Sequence, residues 1–72
     1  MIDRSRQGMR CRTVRQLKTA QGTLPRDSHG TFNYEAENMG RRLVFVNWDN
    51  GMRVPVFPDE IETLPQEREE DY

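Results

Sequence analysis

Arg41-Arg-Leu-Val-Phe-Val-Asn-Trp48-Asp-Asn-Gly51-Met-Arg-Val-Pro55-Val-Phe-Pro58-Asp-Glu-Ile61-Glu-Thr-Leu64 is the stretch that decides the fold class. β-Branched and aromatic residues fill both halves of it, and such side chains suit a pleated, half-buried surface. Asn50-Gly51 between two such runs is a strong short-range hairpin signal. It predicts a strand over 41–48 paired with one over 52–57. Pro58-Asp59-Glu60 reads as a tight turn of 3₁₀ type, and 61–64 as a last short strand.

A type I′ turn at Asn50-Gly51 makes Asp49 and Met52 the closing pair. Val44 then opposes Phe57, Val46 opposes Pro55 and Trp48 opposes Arg53 on one face. Phe45 opposes Val56 and Asn47 opposes Val54 on the other. Pro55 falls at a non-hydrogen-bonded pair, so its missing N–H costs this ladder nothing. Both faces come out apolar. Leu43, Phe45, Val54 and Val56 therefore need cover, from the 15–28 segment through Leu17 and Leu24 or from a second subunit.

Outward from the hairpin, the alternation in residues 9–14 predicts a first strand. Gly22 and Pro25 argue against a single helix over 15–28, and a connection of this length invites a role. A second strand spans 30–37, with Phe32 and Tyr34 on one face and Thr31, Asn33 and Glu35 on the other. Gly30 at its start suits a bulge or a close backbone approach. Asn38-Met39-Gly40 supplies the next turn. One all-β domain over 9–64 results, with segments 1–8 and 65–72 polar enough to predict disorder.

The chain has 72 residues and a net charge of −1, so it builds one small core. The charge is not evenly spread. Residues 1–18 carry Arg4, Arg6, Arg10, Arg12, Arg15 and Lys18 against Asp3 alone, whereas residues 59–72 hold seven acids and one base. Such blocks mark interaction arms or solvated ends, and the two can screen each other. Cys11 is the single cysteine, which excludes an internal disulfide, and with His29 the single histidine no common zinc spacing exists. No apolar run follows the N-terminus as a signal peptide requires. Leu43–Val46 is far shorter than the roughly 20 residues of a membrane span. A cytoplasmic protein with no membrane association, no metal and no cofactor is expected.

His29 as a general base would need a nucleophile, and only Cys11 and Ser28 offer one; a loop histidine is the plainer reading. Cys11 among arginines could be a reactive thiolate, or a small buried hydrophobe, which is the commoner fate. Asp59, Glu60 and Glu62 crowd one turn, but without the alternating ligands of a cation loop. The basic segment through Arg10 and Arg12, with Phe32, Tyr34 or Trp48 to stack on unpaired bases, is what a nucleic-acid barrel would use. Against it stands the sequence pI of about 5.8. Trp48 and Arg53 as cross-strand neighbours make a candidate hot spot for a protein partner, or simply a stabilised hairpin.

Five short strands, a long connection after the first and a proline-led turn before the last resemble an SH3-like β-barrel. Within that class, His29-Gly30-Thr31-Phe32, Leu43 to Gly51 and Phe57-Pro58-Asp59-Glu60-Ile61-Glu62 look like small bacterial barrel proteins to which no function is assigned. More loosely, they are similar to the SH3-like accessory subunits of ferredoxin-linked complexes. The resemblance covers about residues 9–64 and implies an accessory docking subunit with no cofactor of its own. The acidic loop and paired tryptophans of peptide-binding signalling SH3 domains are absent, so no proline-rich ligand is implied.

The expectation is an SH3-like, five-stranded small barrel that acts as a non-enzymatic protein-binding or accessory module. A homodimer, domain-swapped or not, is one form it could take. The expected contact residues are Trp48, Arg53, Phe32, Tyr34, Arg10 and Arg12. The alternative is a small RNA- or single-stranded-DNA-binding barrel.

Overall fold

In the computed structural model, which describes residues 1–65, the described residues form eight strands: those expected over 9–14, 30–37, 41–48 and 61–64 have counterparts of similar extent, the one expected over 52–57 is reduced to two residues, and three were not expected. The five counterparts are β2 (Arg10–Thr13), β5 (His29–Asn38), β6 (Arg41–Trp48), β7 (Pro55–Val56) and β8 (Ile61–Thr63). They pair antiparallel in the order β7-β6-β5-β2-β8. The sheet is an open path; β7 and β8 are its two ends. Strand β1 (Ile2–Asp3) is added along β5, and β3 (Leu17–Thr19) with β4 (Gly22–Leu24) forms a separate hairpin.

Residues 1–8, expected to be disordered, form a strap along β5. Ile2 pairs with Ala36 and Asp3 with Glu35. Side chains hold this strap: Asp3 is 3.2 Å from Arg42, and the Arg4 guanidinium lies 5.4 Å from the Tyr34 ring centre. Periodicity cannot reveal order of that kind. The acidic segment expected over 65–72 lies, except for Pro65, outside the described residues.

The 15–28 connection is the β3–β4 hairpin, whose Leu17 and Leu24 pair with each other and are both buried. The Gln21 side chain fastens its tip to the backbone of Arg53, donating to the carbonyl at 3.3 Å and accepting from the N–H at 3.4 Å. The return into β5 is closed by Thr13, which is fully buried. Its hydroxyl donates to Pro25 O at 3.0 Å and accepts from Ser28 N at 3.0 Å.

The 41–57 hairpin departs from its expected register by one residue. Val44 opposes Val56 and Phe45 opposes Pro55. The connection is a three-residue loop. Gly51 N–H donates to Trp48 O at 2.9 Å, Trp48 N–H donates to Met52 O at 3.2 Å, and Gly51 has φ +95°. A type I turn followed by a left-handed glycine is the usual three-residue solution. Asn-Gly serves it as well as it serves the two-residue turn. Because side chains alternate, the one-residue slip moves every residue of 52–57 to the other face. Val44, Val46, Trp48, Val54 and Val56 all enter the core, and Leu43, Phe45, Pro55 and Phe57 are left on the outer side of the hairpin.

The type I′ turn is instead the one between β5 and β6. Asn38 pairs with Arg41, and both intervening residues have positive φ, Met39 at 53° and Gly40 at 80°. Methionine is a poor choice for the left-handed region, where Asn is favoured. Met39 is 92% exposed, so it contributes no packing that a substitution would remove. Met39→Asn should stabilise the protein by about 1 kcal/mol, read as a rise in the denaturant midpoint with an unchanged slope. An unchanged midpoint would show that the turn is not I′ in solution.

A second irregularity redistributes β5. The ladder with β6 slips between Phe32 and Tyr34, leaving Asn33 as the extra residue of a bulge. Phe32 therefore faces inward, Tyr34 outward and Glu35 inward. The expected sharing of a face by Phe32 and Tyr34, opposite Glu35, does not survive the bulge. Gly30 is a close approach rather than a bulge: a Cβ there would stand 2.5 Å from Val46 Cγ1 and 2.8 Å from Trp48 Cε3.

Candidate functional site

The register and the bulge together create an outer face on β5, β6 and β7. Tyr34, Phe45 and Pro55 form one row across the three strands, and Ala36 and Leu43 are paired in the next. The rings of Tyr34 and Phe45 stack, with centroids 4.5 Å apart and planes 14° from parallel. Offset-stacked rings of this kind form a rigid apolar plate. At one end Arg53 joins Asn33, Tyr34, Phe45 and Asn47 around a small hollow of about 100 Å³.

Toward the other end the face runs into a groove of about 500 Å³ between β3 and β7. Leu17, Leu43, Val54, Val56 and Phe57 lie along it, and Arg15, Lys18 and Glu60 stand among its polar residues. Phe57 is 41% exposed. It precedes the 3₁₀ turn Pro58–Glu60, which Glu60 closes by accepting the Phe57 N–H at 2.9 Å. Proline at the first position of this turn costs no hydrogen bond, because that N–H would be unpartnered anyway.

Charge sorts the molecule in a way that composition does not show. Arg10 makes a two-point contact with Asp49, at 3.0 and 2.6 Å. Those hydrogen bonds hold the Asp49 carboxyl below its usual range. Arg12 pairs with Glu62 at 2.6 Å and with Asp27. Arg15 pairs with Glu60 at 3.4 Å, Arg42 with Glu35 at 2.9 Å, and Arg6 with Glu35 at 3.4 Å. Among the described residues, Arg4, Lys18, Arg26, Arg41 and Arg53 have no carboxylate partner. Arg4, Arg53 and Lys18 each border the outer face or its groove. Arg41 is exposed at the end of the same strand as Leu43 and Phe45.

The six expected contact residues therefore separate. Tyr34 and Arg53 lie together on the outer face. Trp48 and Phe32 are each 2% exposed and belong to the core. Trp48 Nε1 donates to Val54 O at 3.1 Å, so even its polar edge points inward. The expected cross-strand contact of its ring with Arg53 fails with the register; Arg53 instead donates to the Met52 carbonyl at 2.9 Å. Arg10 and Arg12 are engaged in ion pairs; Arg10 lies opposite Thr31, in the row next to the plate, with its guanidinium taken up by Asp49 and the Thr31 hydroxyl. The sequence pointed to Leu43 and Phe45 only as apolar residues in need of cover and to Arg4 only as part of the basic segment, and it did not single out Phe57. The mixed apolar and basic character of 41–57 is the available signal, and the one-residue difference in register is what redistributes residues 52–57 between its faces.

The other constellations do not assemble. Cys11 opposes Gly30 on the inner face and is fully buried, whereas Arg12 opposes His29 on the outer side. Ser28 Oγ donates to Pro25 O at 2.7 Å. Of the acids at the turn, Glu62 is drawn to Arg12 and Glu60 to Arg15. Among the described residues no three His, Cys, Asp or Glu side chains stand where they could hold a metal ion. No helix of the described residues is long and apolar enough to cross a membrane.

Burial pushes the Cys11 thiol up to about 11, despite the opposing pull of Arg10. Two results follow. At pH 8 the thiol should react with a disulfide reagent only as fast as the protein unfolds; prompt stoichiometric reaction would show that the site opens locally. A raised pKa means the folded state holds the proton longer. The contribution is intact below the ordinary value of 9.0 and is lost as pH rises from there toward 11. Cys11→Ser should remove that alkaline component of the melting curve.

Comparison with protein-family models, with curated proteins and with solved structures gives no match.

Proposed function

We propose that this chain is an SH3-like small barrel working as a non-enzymatic docking module, whose outer β5–β6–β7 face receives an extended, acidic and apolar segment of another protein. The strand order β7-β6-β5-β2-β8, the hairpin within the long connection and the 3₁₀ turn before the last strand support the barrel reading. The observation that carries the docking reading is the coincidence of two features. The stacked Tyr34–Phe45 plate, with Leu43, Pro55 and Phe57, is accessible. Around it stand Arg4, Arg53, Lys18 and Arg41, cations without carboxylate partners among the described residues. Aromatic and arginine side chains dominate protein-binding hot spots. Four of the five bases without a carboxylate partner among the described residues, all but Arg26, stand at this face or its groove, so charge complementarity favours this face and asks for an acidic partner.

The nucleic-acid reading is second. Arg10 and Arg12, its expected phosphate contacts, are neutralised by Asp49, Asp27 and Glu62. What favours it is Arg4 over the half-buried Tyr34 ring, an arrangement that also suits an unpaired base.

The test is peptide selection by the full chain from a random displayed library, followed by amide shift mapping with the selected peptide. Selected peptides should combine Asp or Glu with aromatic or branched residues. Shifts should centre on Tyr34, Ala36, Leu43, Phe45 and Phe57, and Phe45→Ser should abolish them. Selection without acidic enrichment, or mapping to another surface, would overturn the docking reading. Two controls run beside it. Steeply salt-dependent binding of a single-stranded oligonucleotide to the same residues would favour the second reading. A dimer in light scattering that buries Phe45 would replace the foreign segment with a second copy.

A further inference from the structure

A cleft of about 430 Å³ opens on the other side of the molecule, between the inner end of β5–β6 and the 3₁₀ turn with β8. Phe32, Val44 and Ile61 form its apolar part, Glu35 and Glu62 its acidic part, and Arg6 reaches in from the strap. Arg6 is the only base among the lining residues. We propose that this cleft is a receptor for an arginine side chain of a partner, and that Arg6 occupies it as an internal ligand.

The chemistry for a guanidinium is assembled from buried groups. Glu35 is 3% exposed, a costly position for a carboxylate unless a cation answers it. One of its oxygens accepts from Arg42 Nε at 2.9 Å. The other has Arg6 Nε at 3.4 Å, longer than a charge-assisted hydrogen bond. The Arg6 guanidinium also lies 5.5 Å from the centre of the Phe32 ring, within range of a cation–π contact. An aromatic face, a buried carboxylate and a second acid beside them select a planar monovalent cation.

The occupant is weakly held. The Arg6 side chain is 50% exposed and its Nε stands 3.4 Å from Glu35, although the strap backbone is fastened to β5 on both sides of it, at Ile2 and Asp3 and by the Gly8 N–H donating to Phe32 O at 2.9 Å. Removing Arg6 leaves Glu35 and Glu62 lining the cleft with no base among them. Arg42 and Arg12 already answer those acids from outside it. An incoming arginine would restore the contact that Arg6 makes and could improve on its long Glu35 distance. The site is separate from the outer face, so this inference stands independently of the docking reading.

The experiment uses the full chain with Arg6→Ala, and N-acetyl-arginine amide as probe. Amide shifts of Phe32, Glu35, Val44, Ile61 and Thr63 should saturate, with a Kd of roughly 1–10 mM for so small a ligand. The unsubstituted protein should bind about tenfold more weakly, because Arg6 holds the cleft closed most of the time. N-acetyl-citrulline amide, neutral and nearly isosteric, should give no saturating shift. Adding Glu35→Gln to Arg6→Ala should abolish binding of the arginine probe. If Arg6→Ala proves poorly folded, Arg6→Gln retains the side-chain stem and is expected to behave in the same way. Equal binding of arginine and citrulline probes, saturation centred on Tyr34 or Phe45, or no saturation with either folded variant would overturn the inference.

Discussion

Trp48→Ala should leave the protein largely unfolded at 37 °C. The indole is buried at the meeting point of Gly30, Val46 and Val54, and its N–H serves the Val54 carbonyl at 3.1 Å. Truncating a core aromatic to alanine costs about 3–5 kcal/mol. The orphaned Val54 carbonyl adds to this, since a buried acceptor without a donor costs about 1–3 kcal/mol. Domains of this size sit toward the low end of the 5–15 kcal/mol typical of folded proteins (about that range is the whole margin). A melting temperature lower by about 20 °C or more is the expected reading from circular dichroism. Trp48→Phe separates the two contributions, because it keeps most of the ring volume and loses only the donor. A small shift for Phe and a large one for Ala is the expected pair. An alanine variant that melts with the parent protein would place Trp48 on the surface and restore it as a docking residue.

Gly30→Ala attacks the same junction from the opposite side. Its Cβ would lie 2.5 Å from Val46 Cγ1, 2.8 Å from Trp48 Cε3 and 3.0 Å from the Asn47 carbonyl oxygen. The first neighbour is a stiff β-branched side chain, the second a rigid ring and the third backbone, so none yields cheaply. Overpacking a filled core costs typically about 1–3 kcal/mol, and here the upper end applies. The glycine is required by space rather than by backbone conformation, since it is not among the positive-φ residues. Removing both methyls of the first neighbour, Cγ1 among them, should therefore help. Gly30→Ala with Val46→Ala should be less destabilised than the sum of the two single changes. Strict additivity in that cycle would falsify the contact.

These two variants bear on why part of the fold was legible and part was not. The strands expected over 9–14, 30–37, 41–48 and 61–64 have close counterparts, because alternation and β-branched content report on local surface; the one expected over 52–57 keeps only Pro55–Val56, and the short strands β1, β3 and β4 were not foreseen. The close approach at Gly30 was legible for a similar reason: a glycine opening an apolar strand has few structural uses. The hairpin register was not. Asn50-Gly51 satisfies a two-residue turn and a three-residue turn alike, and the choice rests on which arrangement buries Val54 and Val56 beside Val44 and Val46. That is a property of the whole core. The bulge at Asn33 left no mark either, although it alone turns Glu35 inward and Tyr34 outward.

The candidate contact residues fared according to the same division. Tyr34 and Arg53 reach the outer face, whereas Trp48 and Phe32 are consumed by the core, and no local pattern distinguishes the two pairs. Arg10 and Arg12 looked available because their partners Asp49, Asp27 and Glu62 are between 15 and 50 residues away in the chain. A count of bases near the N-terminus says nothing about which acids fold against them.

By itself, then, the order of residues determined the all-β class, the approximate strand limits, the proline-led turn and the segregation of charge along the chain. Each depends on neighbours within a few positions. Tertiary structure alone decided the hairpin register, the inward turn of Glu35, the order of the strap and the identity of the cations left without partners. Those follow from long-range burial and pairing. A one-residue slip changes every face at once, and a charge is neutralised by whatever the fold brings within about 4 Å of it.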